Sequence, residues 1–510
     1  MKKYRYSAGF KLSFLVIAGL MIISLLGACQ KDSACKAQES GIGRPVISIM
    51  APLHFPHPPI PELIAEIEKQ TQTKLELNWV PDGIYTDKMN TALTTNSLKK
   101  ATYVKYTDYM LMKNSIRSGA FWDIGPYLDA YPNLKQLNKG ILGQAAVDGK
   151  IFGLYTERPS SRQGIIMRED WLNNLNLAKP TNLDELYQVL KAFTYGDPDR
   201  NGKADTIGLT DRNDLVFGAF KTISSYFGTP NNWGIAAGKL APEFETQAYV
   251  DTMNYMKKLY DEKLINSDFA VTSKDVQRDK IIRGTAGAYI GSMQDVQRLS
   301  DEVQLANPQA KLTLVNHIEG PKGFQIWSIP NYSALYLFSK KAIRTEVELK
   351  QMLQFFDRTM DKDIANLMKY GLEGRHYTTI GDKVQLTEET SKLRVNEVNA
   401  LYALMIADLN NPQVKQLAES ESLSQLADRL SMDNEKYVIK DPTLGLESKM
   451  YDERGVELYK IISDATYNYM LGKLDKAGFQ QEIERWKRSG GEQIIAEYNE
   501  AYGKKQLGAD

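Results

Sequence analysis

Residues 148–155 read DGKIFGLY, 167–172 MREDWL, 179–186 KPTNLDEL and 196–210 GDPDRNGKADTIGLT. One window of the chain thus holds a strand-like run, two helix starts and an acidic loop. The loop is the sharpest local signal. Asp197, Asp199, Asn201 and Asp205 fall at positions 1, 3, 5 and 9 of the loop, with Gly202 at position 6. Side-chain oxygens at those positions, and a glycine free to take positive φ, are what an oxygen-ligated Ca2+ loop needs. Lys203, at position 7, offers only its backbone carbonyl, and position 12 is Gly208 rather than the bidentate Glu that closes an EF-hand. The same residues also fit a tight turn whose Asx side chains bond their own backbone. The pattern has no open coordination site or catalytic partner, so an ion held there is expected to be structural.

Outward from this window, strand and helix signals alternate. Residues 45–50 (PVISIM) read as a first core strand. Pro61 opens a helix at the favoured N1 position, with Leu63, Ile64 and Ile67 at helical spacing. Leu75, Leu77 and Trp79 alternate in a second strand, a helix is predicted over 86–97, and 102–106 reads as another strand. This order predicts an α/β lobe with a mostly parallel sheet. Further on, Thr181 is placed as the cap of a helix whose Leu183, Leu186, Tyr187 and Leu190 share a face. A second long helix is predicted over 246–262, and residues 287–291 (GAYIG) as a strand. A first crossing between lobes is placed at 148–155, a return through 328–339 and a third crossing near 370–375. From about Gly381 the chain is charged and helix-rich and is expected to close the second lobe.

The N-terminus reads as an export signal. Lys2, Lys3, Arg5 and Lys11 precede an apolar run from Leu12 to Leu26, which is shorter than the roughly 20 residues that span a bilayer. The run ends in LLGAC, with Cys29 after two small residues, and resembles a bacterial lipobox. That resemblance implies cleavage before Cys29 and acylation of its thiol, the palmitate-type anchor of a lipoprotein. Residues 30–44 then form a tether. Cys35 is the only other cysteine, so no disulfide framework supports the fold. Stability must come from a large core, for which a mature chain of roughly 480 residues has ample length. The 63 basic and 63 acidic residues cancel, which argues against nucleic acid as a partner.

Four segments of the opening window, in order, resemble the extracellular solute-binding lipoproteins of carbohydrate ABC importers. These are DGKIFGL, REDWL, PTNLDEL and DPDRNGKAD. The large oligosaccharide-binding branch that includes the alginate-binding proteins is the nearest in pattern. FGTPNNW (227–233), GKL (238–240), LYDEKLI (259–265), EGPKG (319–323) and YGLEGRHY (370–377) extend the resemblance over most of the chain. It implies a periplasmic-binding-protein-like type II fold, two α/β lobes joined by a hinge with three crossings. The expected N-terminal lobe comprises 45–155 and 331–372, and the C-terminal lobe 156–330 and 373–510. It also implies that Asp197, Asp199, Asn201, Lys203 and Asp205 match the family's calcium pattern. Thr206 departs from that pattern, since alginate-binding relatives place Glu there. Residues 98–109 depart too, where many relatives have a Pro-Asp pair before the strand.

The available chemistry favours binding over turnover. There are four histidines and no G-x-S-x-G, Walker loop or H-E-x-x-H. His54 and His57 lie in a Pro-rich loop without further ligands. Aromatics make up 10% of the chain, with 28 Tyr and 6 Trp, and sugar faces pack on such rings while hydroxyls seek charged and amide groups. Trp233, Trp327, Tyr85 and Trp171 are the candidate platforms, against the alternative that they are core. Glu157 and Arg158 stand just past the first crossing and Arg375 at the third. Arg158 or Arg375 could pair a uronate carboxylate, the alternative being a surface salt bridge. The expected protein is therefore a monomeric, membrane-anchored receptor that closes on an oligosaccharide and docks on permease subunits, with structural Ca2+. Two other readings stay open, a surface polysaccharide-acting enzyme and a peptide- or signal-binding lipoprotein.

Overall fold

A computed structural model describes residues 43–409, 411–418 and 422–507. The export segment, Cys29 and its expected lipid lie outside them. No helix among the described residues is long and apolar enough to cross a membrane.

The first sheet has the order β2-β1-β3-β14-β4. β1 (Val46–Leu53) is an almost unbroken apolar run buried on both faces, as a central parallel strand requires. It pairs in parallel with β2 (Lys74–Pro81) and β3 (Ala101–Lys105). The helix Pro61–Thr71 begins with its proline at the predicted position and buries Leu63 and Ile67, while the helix Asp82–Thr94 buries Tyr85 and Met89 one turn apart. The chain leaves this sheet along β4 (Gly153–Glu157).

The second sheet has the order β10-β5-β9-β6 and an antiparallel pair on each side of β5 (Gln163–Arg168). β6 (Ile207–Thr210) lies parallel to β9 (Ala286–Ser292), and β10 (Leu312–Val315) forms the opposite edge. Between them in sequence comes a hairpin, β7 (Trp233–Ala236) and β8 (Lys239–Pro242), turned through Ala237 and Gly238 at φ 49° and 77°. The core of this lobe is organised by Trp171 and Phe193, which meet edge to face at 5.4 Å. Gly287 on β9 lies under both rings; a Cβ there would come within 2.2 Å of Phe193 and 2.7 Å of Trp171. The cap of the helix Leu183–Tyr195 is Asn182, one residue later than predicted. Its side chain accepts from Glu185 N at 2.9 Å, and the Glu185 carboxylate in turn accepts from Thr181.

Short strands β11 (Glu319–Gly320), β12 (Gly323–Phe324) and β13 (Ile326–Trp327) lead to β14 (Tyr332–Phe338). β14 returns to the first sheet, antiparallel to both β3 and β4. The two passages between sheets, 158–162 and 328–331, are tied together. Ile329 N donates to Ser160 O at 2.9 Å and Arg158 N to Asn331 O at 3.0 Å. Asn434, at the end of the helix Leu423–Asn434, donates to Gln163 O at 2.9 Å.

The third crossing was expected near 370–375. There Gly371, at φ 85°, makes a turn closed by the buried His376, whose Nδ1 accepts from Leu372 N at 2.9 Å. Val398, Leu401 and Ala403–Ala407, expected in the second lobe, bury their side chains in the first core. The chain joins the second sheet only with Ala427 on the helix Leu423–Asn434. The sequence of 373–407 is polar enough to read as a surface helix, and only its last ten residues betray the first core.

Candidate functional site

A cavity of about 800 Å3 opens between the two sheets. Its first wall is built by the carboxyl ends of β1, β2 and β3, the position where open α/β sheets place ligands. His54 follows β1, Asp82 follows β2, and Lys105 ends β3. Lys105 Nζ lies 2.6 Å from Asp82 Oδ1, and His54 Nδ1 lies 3.4 Å from the same oxygen. Burial holds the His54 imidazole below its usual range against the opposing pull of Asp82, so at neutral pH the ring is uncharged.

The opposite wall is aromatic. Trp327 Nε1 donates to Thr222 Oγ1 at 3.0 Å and its ring meets Phe217 at 5.7 Å. Trp233 packs on Tyr498 at 5.1 Å. Both tryptophans are nearly covered, at 7% and 3% exposed, and turn only an edge to the cavity. The accessible faces on this wall belong to Phe217, Tyr451 and Tyr459, at 43%, 44% and 48%, while Tyr402, at 44%, enters the cavity from the first lobe. Tyr451 and Tyr459 stand on the helix Lys449–Met470. Between the rings runs a polar network. Lys221 Nζ lies 2.6 Å from Glu243 and 2.7 Å from Asn232 Oδ1, and Asn232 Nδ2 donates to Asp441 at 2.8 Å. Burial pushes the Asp441 carboxyl up, opposed by hydrogen bonds from Thr443 and Asn232.

Of the residues singled out from sequence, Trp233, Trp327 and Arg158 line the cavity; Tyr85, Glu157, Trp171 and Arg375 do not. Tyr85 is fully buried and donates to Tyr103 O at 2.6 Å, because the helix that follows Pro81 starts four residues earlier than expected and turns the ring inward. Trp171 is core, with the Arg168 guanidinium 4.8 Å from its ring. Glu157 is buried on β4 opposite Tyr332. Arg375 pairs with Glu397 at 2.6 Å. Sequence reading missed Arg162, Lys221, Tyr402, Tyr451 and Tyr459. For the last two a signal existed, tyrosines eight residues apart on a charged helix.

The loop 197–205 lies outside the cavity lining. Asp197 accepts from Asn201 N at 3.0 Å and Gly202 N at 3.2 Å. Asn201 Nδ2 points among the carboxylates, 2.8 Å from Asp199 and 3.3 Å from Asp205, while Lys203 N donates to Asn201 Oδ1 at 2.7 Å. Burial and the neighbouring Asp205 and Asp197 push the Asp199 carboxyl up. No cluster of three or more His, Cys, Asp or Glu placed to hold a metal ion occurs among the described residues.

Two α/β lobes about a walled cavity, tied by paired hinge strands, define a type II periplasmic-binding-protein-like receptor. An HMO-binding, ABC-transporter-associated solute-binding protein from Bifidobacterium longum infantis ATCC 15697 has the same fold. Its TM-score is 0.70 at 17% identity, over 90% of this chain and 99% of that one. Residues 57–335 match the family described as bacterial extracellular solute-binding protein, and the chain belongs to that family. The polygalacturonan/rhamnogalacturonan-binding protein YtcQ of Bacillus subtilis (strain 168) is 43% identical over 496 residues, 96% of this chain and 98% of that one. An EF-hand mutant of the Streptococcus pneumoniae substrate-binding protein FusA, solved with fructo-nystose, superposes with a TM-score of 0.67 at 16% identity, over 91% and 100% of the two chains.

Proposed function

We propose that this protein captures an oligosaccharide between its lobes and delivers it, unaltered, to the permease of an ABC importer. The observation that carries this is a cavity lined by both accessible rings and hydrogen-bonding charge: Phe217, Tyr451 and Tyr459 stand beside Lys221 and Asp441 and face His54, Asp82 and Lys105. Ring faces take the C–H surfaces of pyranoses, and the charged and amide groups take hydroxyls. The names of the relatives, a polygalacturonan/rhamnogalacturonan-binding protein and an HMO-binding, ABC-transporter-associated solute-binding protein, support the same reading. The proposed lobes are 44–157 with 331–407, and 158–330 with 423–507. A ligand touching both walls binds the closed arrangement best and shifts the hinge toward it. Acylation of Cys29 tethers the receptor outside the cell, and it works as a monomer. The test is a thermal-shift screen over neutral glycans, acidic glycans and peptides, since a true ligand raises stability by mass action. Glycans, and not peptides, are expected to raise the unfolding temperature; a response confined to peptides would overturn the reading.

The loop 197–205 is proposed to hold Ca2+ through Asp197, Asp199, Asn201, Asp205 and the Lys203 carbonyl. The donors are all oxygens, which suits a hard cation, and a turn of the Asn201 amide would present its Oδ1 where Nδ2 now meets the carboxylates. The ion would offset the mutual repulsion of three carboxylates. Chelation by EGTA is expected to lower the unfolding temperature, and readdition of Ca2+ to restore it.

A further inference from the structure

Four residues of the cavity, Phe55, Arg158, Arg162 and Tyr402, also line a second chamber of about 860 Å3 on the far side of the crossing strand. The two chambers therefore share a waist, and two guanidinium groups stand in it. Neither forms an ion pair among the described residues, and the Nε of each is buried without a hydrogen-bond partner. This is unusual within the same site. Lys105 is neutralised by Asp82 and Lys221 by Glu243. A buried charge left unpaired is costly, and two like charges side by side are more so. Burial, and then the neighbouring Arg162, push the pKa of the Arg158 guanidinium down to about 9. Two carboxyls, Asp408 and Asp428, line the second chamber with them; Asp428 feels the charge of Arg162 without pairing to it and accepts weakly from Gln294 Nε2 at 3.4 Å.

We propose that Arg158 and Arg162 form a carboxylate-binding subsite at the waist, so that the ligand is an acidic oligosaccharide whose chain runs through both chambers with an internal uronate held between the two arginines. The assignment rests on the oligosaccharide reading above and adds the charge, the minimum length and the register of the ligand. A planar fork of donors is suited to a carboxylate in a way that an ammonium is not. Both arginines lie on the crossing 158–162, fixed by the bonds of Arg158 N to Asn331 O and of Ser160 to Glu435. A carboxylate there would be gripped at the hinge itself, while sugars on one side reach the rings of Tyr451 and Tyr459 and those on the other enter the second chamber past Tyr402.

The test is calorimetric titration of the full mature chain with hexagalacturonate, digalacturonate and fully methyl-esterified hexagalacturonate, repeated on R158Q/R162Q. The wild type is expected to bind the free-acid hexamer at least tenfold more tightly than the esterified hexamer and the free-acid dimer. The double variant is expected to lose the preference for free acid and to unfold no earlier than wild type when free. R162K, which keeps the charge and loses the fork, is expected to fall between the two. A double variant that retains the full preference for free acid would overturn the proposal, as would a dimer that binds as tightly as the hexamer. If esterified and free chains bind equally well to the wild type, the subsite fails while the oligosaccharide reading stands. If no chain binds, that reading fails with it.

Discussion

The two walls of the cavity are made of different material. On the first, Tyr103 and Tyr106 line the cavity, but Tyr103 is only 5% exposed. Tyr85, Tyr103 and Tyr336 stack edge to face within the core, and Tyr336 donates to Ala403 O at 2.6 Å. Beside them stands a charge set at the strand ends, His54, Asp82 and Lys105. On the second, Phe217, Tyr451 and Tyr459 present their faces from a loop and a helix. Strand ends fix polar groups rigidly, because the sheet's hydrogen bonds leave them little freedom. A helix face and a braced loop can hold broad rings side by side. The contrast is one of support: strand ends carry the charge of the first wall, and a helix and a loop carry the exposed rings of the second.

The largest effect that separates core ring from wall ring is at Trp171. Trp171→Ala should cost about 3–5 kcal/mol of stability, as loss of a fully buried indole does, measured by denaturant unfolding. Next in size is the second wall's footing. Asp211 accepts from Ala219 N at 2.9 Å at the base of the loop that presents Phe217, and burial pushes its carboxyl up to about 6. The folded state therefore holds that proton more tightly than the unfolded chain. Stability from this group is present below about pH 4 and lost as pH rises through 6, on the order of 1 kcal/mol per pH unit. Asp211→Asn should flatten that fall in urea titrations across pH 4–6. A binding effect of similar size is expected from Tyr451→Ala with Tyr459→Ala, a loss of tenfold or more, about 1.4 kcal/mol, with little change in unfolding. An equal loss of stability in this variant would erase the distinction between the walls. The smallest effect is at Asp82→Asn. The pair with Lys105 is partly exposed, so stability should change by less than about 1 kcal/mol while glycan affinity falls several-fold.

Much of the scaffold was legible in the sequence. VISIMAPL reads as a buried strand because nothing in it is polar enough to face water, and Pro61 marks its helix because only a first-turn position tolerates it. The YSALYLF return strand was legible for the same reason as the first. The third crossing is harder to place, because the turn at Gly371–His376 has the same Gly, Arg and His composition as a hinge. Its role is decided by where Val398, Leu401 and Ala403–Ala407 pack, roughly thirty residues later along the chain. The site was only partly legible. Trp233 could be found because Asn231 and Asn232 precede it in a loop. Tyr451 and Tyr459 could not be told from surface tyrosines without knowing which helix face meets the cavity. Arg162 offers no local signal at all; its meaning lies in the absence of a partner, which is a property of three dimensions.

The central claim is that the hollow between these walls grips a glycan and releases it intact. Titration of the purified chain with a defined oligogalacturonate, followed by heat release and mass measurement of the recovered ligand, tests it most directly. The account predicts one ligand bound per chain and an unchanged mass on recovery. Shortened chains in the recovered fraction, or no heat of binding with any glycan, would contradict it.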